Sequence, residues 1–352
     1  MSGLTEVDAL SSWVVCDILG DAIALRELGG QEFPGVSLRR TLDRRGVRLL
    51  YASMREAVAA EADRFVNETY AGRKYAVDVR LVWSPDRTTI LGATGIYYPV
   101  GTVAEDAPVI GTWQWRVDRR TGQNRGPNAS RWNDDLYRIY GVDPAGIDTT
   151  RGPSAEWLAK FLPPSSAATI KLAIDSGIKD APQTLQVLGY DAIRQDTGDT
   201  FAMCMYARAY PDPDDPGALW LRGFSHSVEK SPKIQPVDRA APALDGLASA
   251  AFALATTQAL AAIDVIQGTI FMRSPNWERT GLPADAILLA DLAVGSVLDE
   301  LLDMFRTTAR SEVPSSPHGY TLNGTMYRVR VVSADVHLER GRYIVVAFER
   351  VS

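Results

Sequence analysis

One order of elements occurs three times along the chain, and this repetition constrains the fold more than any other feature. Each copy has two short strands, then a helical stretch, then a run of alternating strands. The alternating runs start near Lys74, Thr184 and Tyr320, and Gly, Pro, Asp or Asn ends each predicted strand. Period-two alternation with such ends is typical of antiparallel meanders. We therefore expect three small α+β units rather than one large core.

A helical stretch precedes each predicted meander. These stretches are residues 44–70, 154–177 and 296–310. In the last of them apolar residues recur at helical spacing with acidic residues between them, which indicates an amphipathic helix. The strand pair before each helix has a short turn, at Gly20-Asp21, Thr121-Gly122 and Gln267-Gly268.

The length of the chain agrees with several domains. It has 352 residues, of which 46% are hydrophobic, and a single core rarely grows beyond roughly 250–300 residues. Pro-containing stretches at 102–108 and 229–242 lie between the repeats and are typical of linkers. We predict domains at residues 1–104, 105–228 and 244–352, with a linker at 229–243. An Ala-rich helix over residues 244–260 is predicted to open the last domain.

Charge and cysteine content exclude some classes of protein. The net charge of −6, with 37 basic and 43 acidic residues spread along the chain, gives no support for nucleic acid binding. Cys16 and Cys204 lie in different predicted domains, so we expect no disulfide framework. Residues 1–10 lack the basic segment of a signal peptide, and polar residues interrupt the longest apolar stretch. We expect a soluble cytoplasmic protein with neither nucleic acid nor membrane as its partner.

The middle repeat has the most distinctive local sequence. The Trp-rich segment 111–118 is followed by residues 132–141, which read WNDDLYRIYG. Asn133 is suited to cap the start of a helix, and Gly141 supplies a left-handed stop at its end. This part of the chain resembles the PAS superfamily, in the subgroup with a W-S-x-x-L-Y-x-I-x-G helix. The whole chain is similar to an actinobacterial three-domain family, labelled PAS or GAF, whose function is unknown.

The resemblance implies a fold and a role. The fold is three tandem PAS-like domains, each an antiparallel sheet of about five strands backed by short helices. In the third repeat, residues 275–283 look like a shortened copy of the helix and its Gly stop. The first repeat has no such segment and is either PAS or GAF-like; there the chain is predicted to pass from residue 28 straight to the helix. The implied role is that of a sensory or regulatory homodimer in signal transduction.

A candidate ligand pocket is placed in the middle domain, because PAS pockets lie between the helices and the sheet. Its predicted lining residues are Trp113, Trp115, Trp132, Tyr137, Tyr140, Trp157, Cys204 and His226. Trp113 and Trp115 share a strand face, and Tyr137 and Tyr140 share a helix face. His226 is expected to face the domain interior from the strand that borders the first strand. The alternative is that the aromatic residues only fill a small core.

No motif for catalysis or for a cofactor is found. The sequence contains no P-loop, kinase motif, helix-turn-helix signature or Cys/His zinc spacing. The reactive-Cys motif of flavin-adduct PAS domains is absent, and none of the three histidines lies on a predicted pocket helix. We therefore expect neither flavin, haem nor a metal. The leading hypothesis is a non-catalytic sensor that binds a small molecule or a protein partner; the alternatives are a ligand-free dimerisation or assembly scaffold and an enzyme of unrecognised type.

Overall fold

A computed structural model describes residues 9–126, 129–146, 157–179, 182–228, 252, 255, 257–284, 286–311, 313–334 and 341–351. Its strands form three antiparallel sheets, of six, five and five strands. Short helices cover the sheets, so the fold is α+β, as the sequence predicts. We call each sheet, with the helices that cover it, the first, middle or third module. The predicted domain limits remain predictions.

The first module has the spatial strand order β3-β2-β1-β6-β5-β4. Its strands are β1 (Val14–Leu19), β2 (Ala22–Leu28), β3 (Gln31–Ser37), β4 (Arg64–Tyr70), β5 (Arg73–Trp83) and β6 (Ile90–Pro99). Its helices are α1 (Leu38–Thr41), α2 (Arg44–Gly46), a π-helical turn (Val47–Tyr51) and α3 (Ala52–Ala60).

Two sequence predictions for this module are wrong. The helix predicted over residues 44–70 ends at Ala60, because Glu61 adopts a left-handed conformation (φ 50°) and the chain turns into β4. Residues 31–37 form the edge strand β3 instead of passing straight to the helix. Strand β4 lies at the sheet edge and is only half buried. Its many polar residues therefore give a sequence that is also typical of the exposed end of a helix.

The middle module has the order β8-β7-β11-β10-β9. Its strands are β7 (Gly111–Asp118), β8 (Ser130–Trp132), β9 (Gln186–Ile193), β10 (Thr200–Pro211) and β11 (Ala218–Ser227). Its helices are α4 (Asp134–Tyr140), a 3-10 turn (Pro144–Gly146), a π-helical turn (Trp157–Phe161) and α5 (Pro164–Lys179). The second strand of this module lies later than predicted: Asn124 forms only an isolated bridge with Val117, and the strand itself is β8.

The third module has the order β13-β12-β16-β15-β14. Its strands are β12 (Ala259–Asp264), β13 (Thr269–Arg273), β14 (His318–Leu322), β15 (Thr325–Ser333) and β16 (Tyr343–Arg350). Its helices are two 3-10 turns (Glu278–Thr280 and Leu289–Asp291) and α6 (Ser296–Ala309). Ala259 and Leu260 belong to β12 rather than to the predicted Ala-rich helix. The predicted linker and residues 244–251 lie outside the described residues.

The three sheets repeat one topology. In the middle and third modules the first strand lies between the second and the last strand, as β7 lies between β8 and β11. The first sheet has the same order and adds β3 beside β2. The threefold repetition read from the sequence therefore corresponds to three sheets of related topology.

Each sheet buries one face against its own helices, and a neighbouring module covers part of the other face. Val15, Val82 and Leu91 of the first sheet pack against Cys204 and Phe224 of the middle sheet. Helix α5 packs on the middle sheet and also contacts the outer face of the third sheet through β13. Because the middle sheet is covered on both faces, its strands are apolar on both faces. Within the described residues, no helix is both long and apolar enough to cross a membrane.

Candidate functional site

Helix α4 is placed by the cap and the stop that the sequence predicts. The Asn133 side chain accepts hydrogen bonds from the backbone N–H of Leu136 at 3.0 Å and of Thr112 at 2.8 Å. One amide therefore caps α4 and ties it to β7. Gly141 ends the helix with a φ of 64°, and the helix turns Leu136 and Tyr140 towards the sheet.

A small cavity lies between the middle sheet, α4 and α5. It is lined by Trp113, Gln114, Trp115, Ser130, Trp132, Leu136, Tyr140, Trp157, Ile174, Tyr190 and Ser225. Five of the eight predicted pocket residues are among them: Trp113, Trp115, Trp132, Tyr140 and Trp157. The cavity volume is about 30 Å³, enough for roughly one or two water molecules. In this conformation the aromatic residues mainly fill the core.

The polar groups of the cavity form a short chain of hydrogen bonds. The Trp157 indole N–H donates to the Tyr140 hydroxyl at 2.6 Å, and the Tyr140 and Tyr190 hydroxyls lie 2.8 Å apart. Burial raises the pKa of Tyr190 to about 12 and that of Tyr140 well above its ordinary value. Both hydroxyls are therefore protonated at neutral pH. None of the described lining residues is ionised, so the cavity suits a neutral molecule.

Trp132 covers one side of the cavity and is only partly buried. It belongs to the three-residue edge strand β8 and lies opposite Trp113 across the ladder. Its ring stacks on the Tyr140 ring with 5.2 Å between the ring centroids. The centroid of the Phe161 ring lies 5.8 Å from that of Trp132. Tyr137, a predicted pocket residue, packs against Trp132 with 5.3 Å between the ring centroids and does not line the cavity.

Cys204 and His226 lie on the other face of the sheet, so their predicted orientation is wrong. Because neighbouring strand residues point to opposite faces, Ser225 and not His226 faces the cavity. The His226 ring stacks on Tyr206 at 6.0 Å, and its Nδ1 lies 3.4 Å from Glu27 Oε2 of the first module. Burial raises the pKa of Cys204 to about 12 and lowers that of His226 to about 4. Neither side chain is therefore charged at neutral pH.

Sequence reasoning missed four polar residues that line the cavity: Gln114, Ser130, Tyr190 and Ser225. Tyr190 lies on β9 and Ser225 on β11, so alternation along each strand limits each side chain to one of two faces. The sequence does not say which face is internal, because both carry large apolar residues. The one indication for Ser225 was that it adjoins His226, which the sequence analysis had placed in the pocket.

Comparison with known proteins supports the fold and does not identify a family. No family model matches the chain, and no curated protein matches it. A solved structure of an uncharacterized protein from Mycobacterium tuberculosis is 17% identical, with a TM-score of 0.59, and the alignment covers 97% of this chain and 96% of that one. The two proteins share a fold. At this level of identity the likeness shows nothing further.

Other solved structures are much less similar. A domain of an HTR-like protein from Haloarcula marismortui is 14% identical, with a TM-score of 0.23, over 28% of this chain and 100% of its own length. An RNA-binding Light-Oxygen-Voltage receptor is 11% identical, with a TM-score of 0.26, over 70% of this chain and 95% of its own. Such TM-scores carry no argument, and membership of the PAS superfamily stays a prediction.

Buried charged residues connect the modules on both sides of the cavity. Between the first and middle modules, Arg208 donates to Asp17 at 2.6 Å, and Arg26 pairs with the same carboxylate. Between the middle and third modules, a second cluster contains Lys171, Asp175, Asp264, Arg342 and Tyr343. Helix α5 therefore contributes Ile174 to the cavity and Lys171 to the contact with the third module. Sequence reasoning identified neither cluster.

Proposed function

We propose that the chain is a non-catalytic regulatory protein that senses a small neutral molecule in the cavity of its middle module. The observation that carries this proposal is the convergence of three hydroxyl groups, from Tyr140, Tyr190 and Ser225, on a cavity with mainly aromatic walls. Ligand sites commonly combine apolar walls with a few polar groups that orient the ligand. The absence of an ionised side chain among the described lining residues supports binding rather than catalysis.

Ligand binding requires a side chain to move, because the cavity of about 30 Å³ is far smaller than the roughly 300–1,000 Å³ of typical ligand sites. We propose that Trp132 moves outward. It is partly exposed, lies on the short edge strand β8, and its indole N–H forms no hydrogen bond within the described part of the chain. Ile174 of α5 lines the cavity, so a ligand there would displace α5. Lys171 on the same helix bonds to Asp264 of the third module and would pass the displacement on.

The test fills the cavity and compares the result with a matched surface substitution. Ser225→Val adds apolar volume inside the cavity, and Ser227→Val makes the same change at an exposed position of the same strand. Melting curves are recorded for the wild type and both variants with a set of small aromatic and heteroaromatic metabolites. We expect at least one compound to raise the melting temperature of the wild type and of Ser227→Val but not of Ser225→Val. A compound that stabilises all three proteins equally, or no active compound, would contradict the proposal.

A ligand-free assembly scaffold is the second candidate, and the small cavity volume favours it. In this case the filled middle core and the buried charged contacts, such as Arg208 with Asp17, serve only to hold the modules together. Native mass spectrometry of the purified protein distinguishes the two candidates, because it reports bound small molecules and oligomeric state together. A homodimer with no bound mass and no response in the melting screen supports the scaffold, whereas a stoichiometric small-molecule mass supports the sensor.

A further inference from the structure

A groove on the first module is lined by a series of arginines. They are Arg39 and Arg40 of α1, Arg44 of α2, Arg48 of the π-helical turn and Arg55 of α3. All five side chains are exposed. The groove has a volume of about 920 Å³, and the less exposed Leu42, Val47 and Tyr51 lie between the arginines. We call this surface the arginine groove.

Among the described residues, the groove lining contains one acidic residue, Glu56, and both Glu56 and the nearby Asp43 already have partners. Glu56 lies 2.6 Å from Arg64 of strand β4. Asp43 accepts a hydrogen bond from the Gly46 N–H at 2.7 Å and lies 3.8 Å from Arg45, which is outside the groove lining. Within the described part of the chain, none of the five groove arginines forms an ion pair. The groove is thus strongly basic on a chain whose net charge is −6.

Two of the groove arginines are close neighbours on one helical segment. Arg44 and Arg48 are four residues apart, so they lie one above the other on the same helical face. Like charges at this spacing destabilise a helix. Guanidinium groups bind carboxylates with paired hydrogen bonds, which is why arginine clusters recur where acidic motifs are recognised. A basic groove whose arginines have no ion pair within the described residues is suited to an external acidic partner.

We propose that the arginine groove binds an acidic peptide segment of a partner protein. A peptide can place carboxylates on the exposed arginines and a small number of apolar side chains against the partly exposed Val47 and Tyr51. Proteins that bind single-stranded nucleic acid stack successive bases on several aromatic residues, and Tyr51 is the one aromatic among the described lining residues. Membrane-binding helices present exposed apolar residues to the lipid, whereas the apolar residues here are buried or partly buried between the arginines.

The experiment measures fluorescence anisotropy of a labelled peptide of alternating Glu and Leu residues with the full chain. Arg44→Glu/Arg48→Glu reverses two groove charges, and Arg279→Glu/Arg306→Glu makes the same change at exposed positions of the third module. We expect the groove variant to bind about tenfold or more weakly, and the control variant to match the wild type. Binding to the wild type should weaken as salt is raised, because exposed charges are screened.

Single-stranded oligonucleotides and phosphatidylserine vesicles are tested in parallel with the same variants. Equal loss of peptide binding in both variants, or no peptide binding by the wild type, overturns the proposal. Groove-dependent binding that is tighter for the oligonucleotide or for the vesicles than for the peptide also overturns it. Should the melting curve show that Arg44→Glu/Arg48→Glu does not fold, Arg39→Glu/Arg40→Glu, on the separate helix α1, takes its place under the same criteria.

Discussion

Replacing Lys171 by Met is expected to lower the free energy of unfolding by about 3 kcal/mol. Lys171 is 1% exposed and bonds to Asp175 and, at 2.8 Å, to Asp264. Arg342 donates to the same two carboxylates at 2.8 Å, so two positive and two negative charges balance in the contact between modules. Met has a similar length and no charge, so the change leaves one buried negative charge without compensation. Removing one partner of a buried ion pair costs about 3–5 kcal/mol, and the lower end applies because Arg342 remains.

The same cluster predicts a dependence on pH. Burial alone would raise the pKa of Asp264, but Lys171 and Arg342 more than offset it and hold that pKa below its ordinary value of 3.8. A carboxyl whose pKa is lower in the folded state stabilises the protein above the pKa of the unfolded chain, about 4. That stabilisation is lost as the pH falls through the folded pKa. In Lys171→Met the pKa of Asp264 rises, so acid unfolding should begin at a higher pH.

Urea unfolding at neutral pH, followed by circular dichroism, measures the effect. Lys74→Met makes the same chemical change at an exposed position of β5 and should alter the free energy of unfolding by less than about 0.5 kcal/mol. Lys171→Met/Asp175→Asn restores the charge balance, and the new amide can still accept from Arg342 and bond to Tyr343. The double variant should therefore be more stable than Lys171→Met. The reasoning is refuted if Lys171→Met unfolds like Lys74→Met, or if the double variant is the less stable.

Three further predictions concern single residues. Tyr140→Phe removes the hydroxyl that bonds to Trp157 and Tyr190, so urea unfolding should show a free energy of unfolding lower by about 1–3 kcal/mol. The control Tyr137→Phe should lower it by less than about 0.5 kcal/mol. Equal losses in the two variants would contradict the hydrogen-bond network. Gly141→Ala should lower the melting temperature more than Gly198→Ala. Both glycines have positive φ, but of these two positions a Cβ would lie 2.2 Å from a carboxylate oxygen, that of Asp196, at Gly141 alone. Equal melting temperatures of the two variants would count against this prediction. The free energy of unfolding of the wild type should fall by up to about 3 kcal/mol as the pH is lowered from about 6.5 to about 4, because the unfolded chain protonates His226 before the folded chain does. His226→Gln should flatten this pH dependence. Parallel curves for the wild type and the variant would exclude His226 as its source.

Local features of the fold were predictable from short stretches of sequence. The cap by Asn133, the stop at Gly141 and the turn after β1 depend on side chains and φ angles within a few residues, so residue type alone indicates them. The alternating strands of the three meanders were predictable for the same reason. The strands β3 and β4 were missed, because each lies at a sheet edge and has the mixed polarity of a loop or an exposed helix end.

The composition of the candidate site was only partly predictable. Alternation establishes that Ser225 and His226 point to opposite faces of β11, but both faces of the middle sheet are covered by apolar groups. Which face encloses the cavity is decided by the helices on one side and by the first module on the other. The sequence therefore identified Trp113, Trp115 and Tyr140 as cavity residues but placed His226 on the wrong face.

The threefold repetition, the alternating strands of the meanders and the two ends of α4 follow from sequence alone, because they depend on interactions between near neighbours. Which polar residues are buried depends instead on how the modules pack together. Lys171 and Asp175 lie on the side of α5 that a helical pattern assigns to solvent, and the third sheet covers that side. Burial depends on contacts between residues that are far apart in the chain, and neither periodicity nor composition specifies those partners.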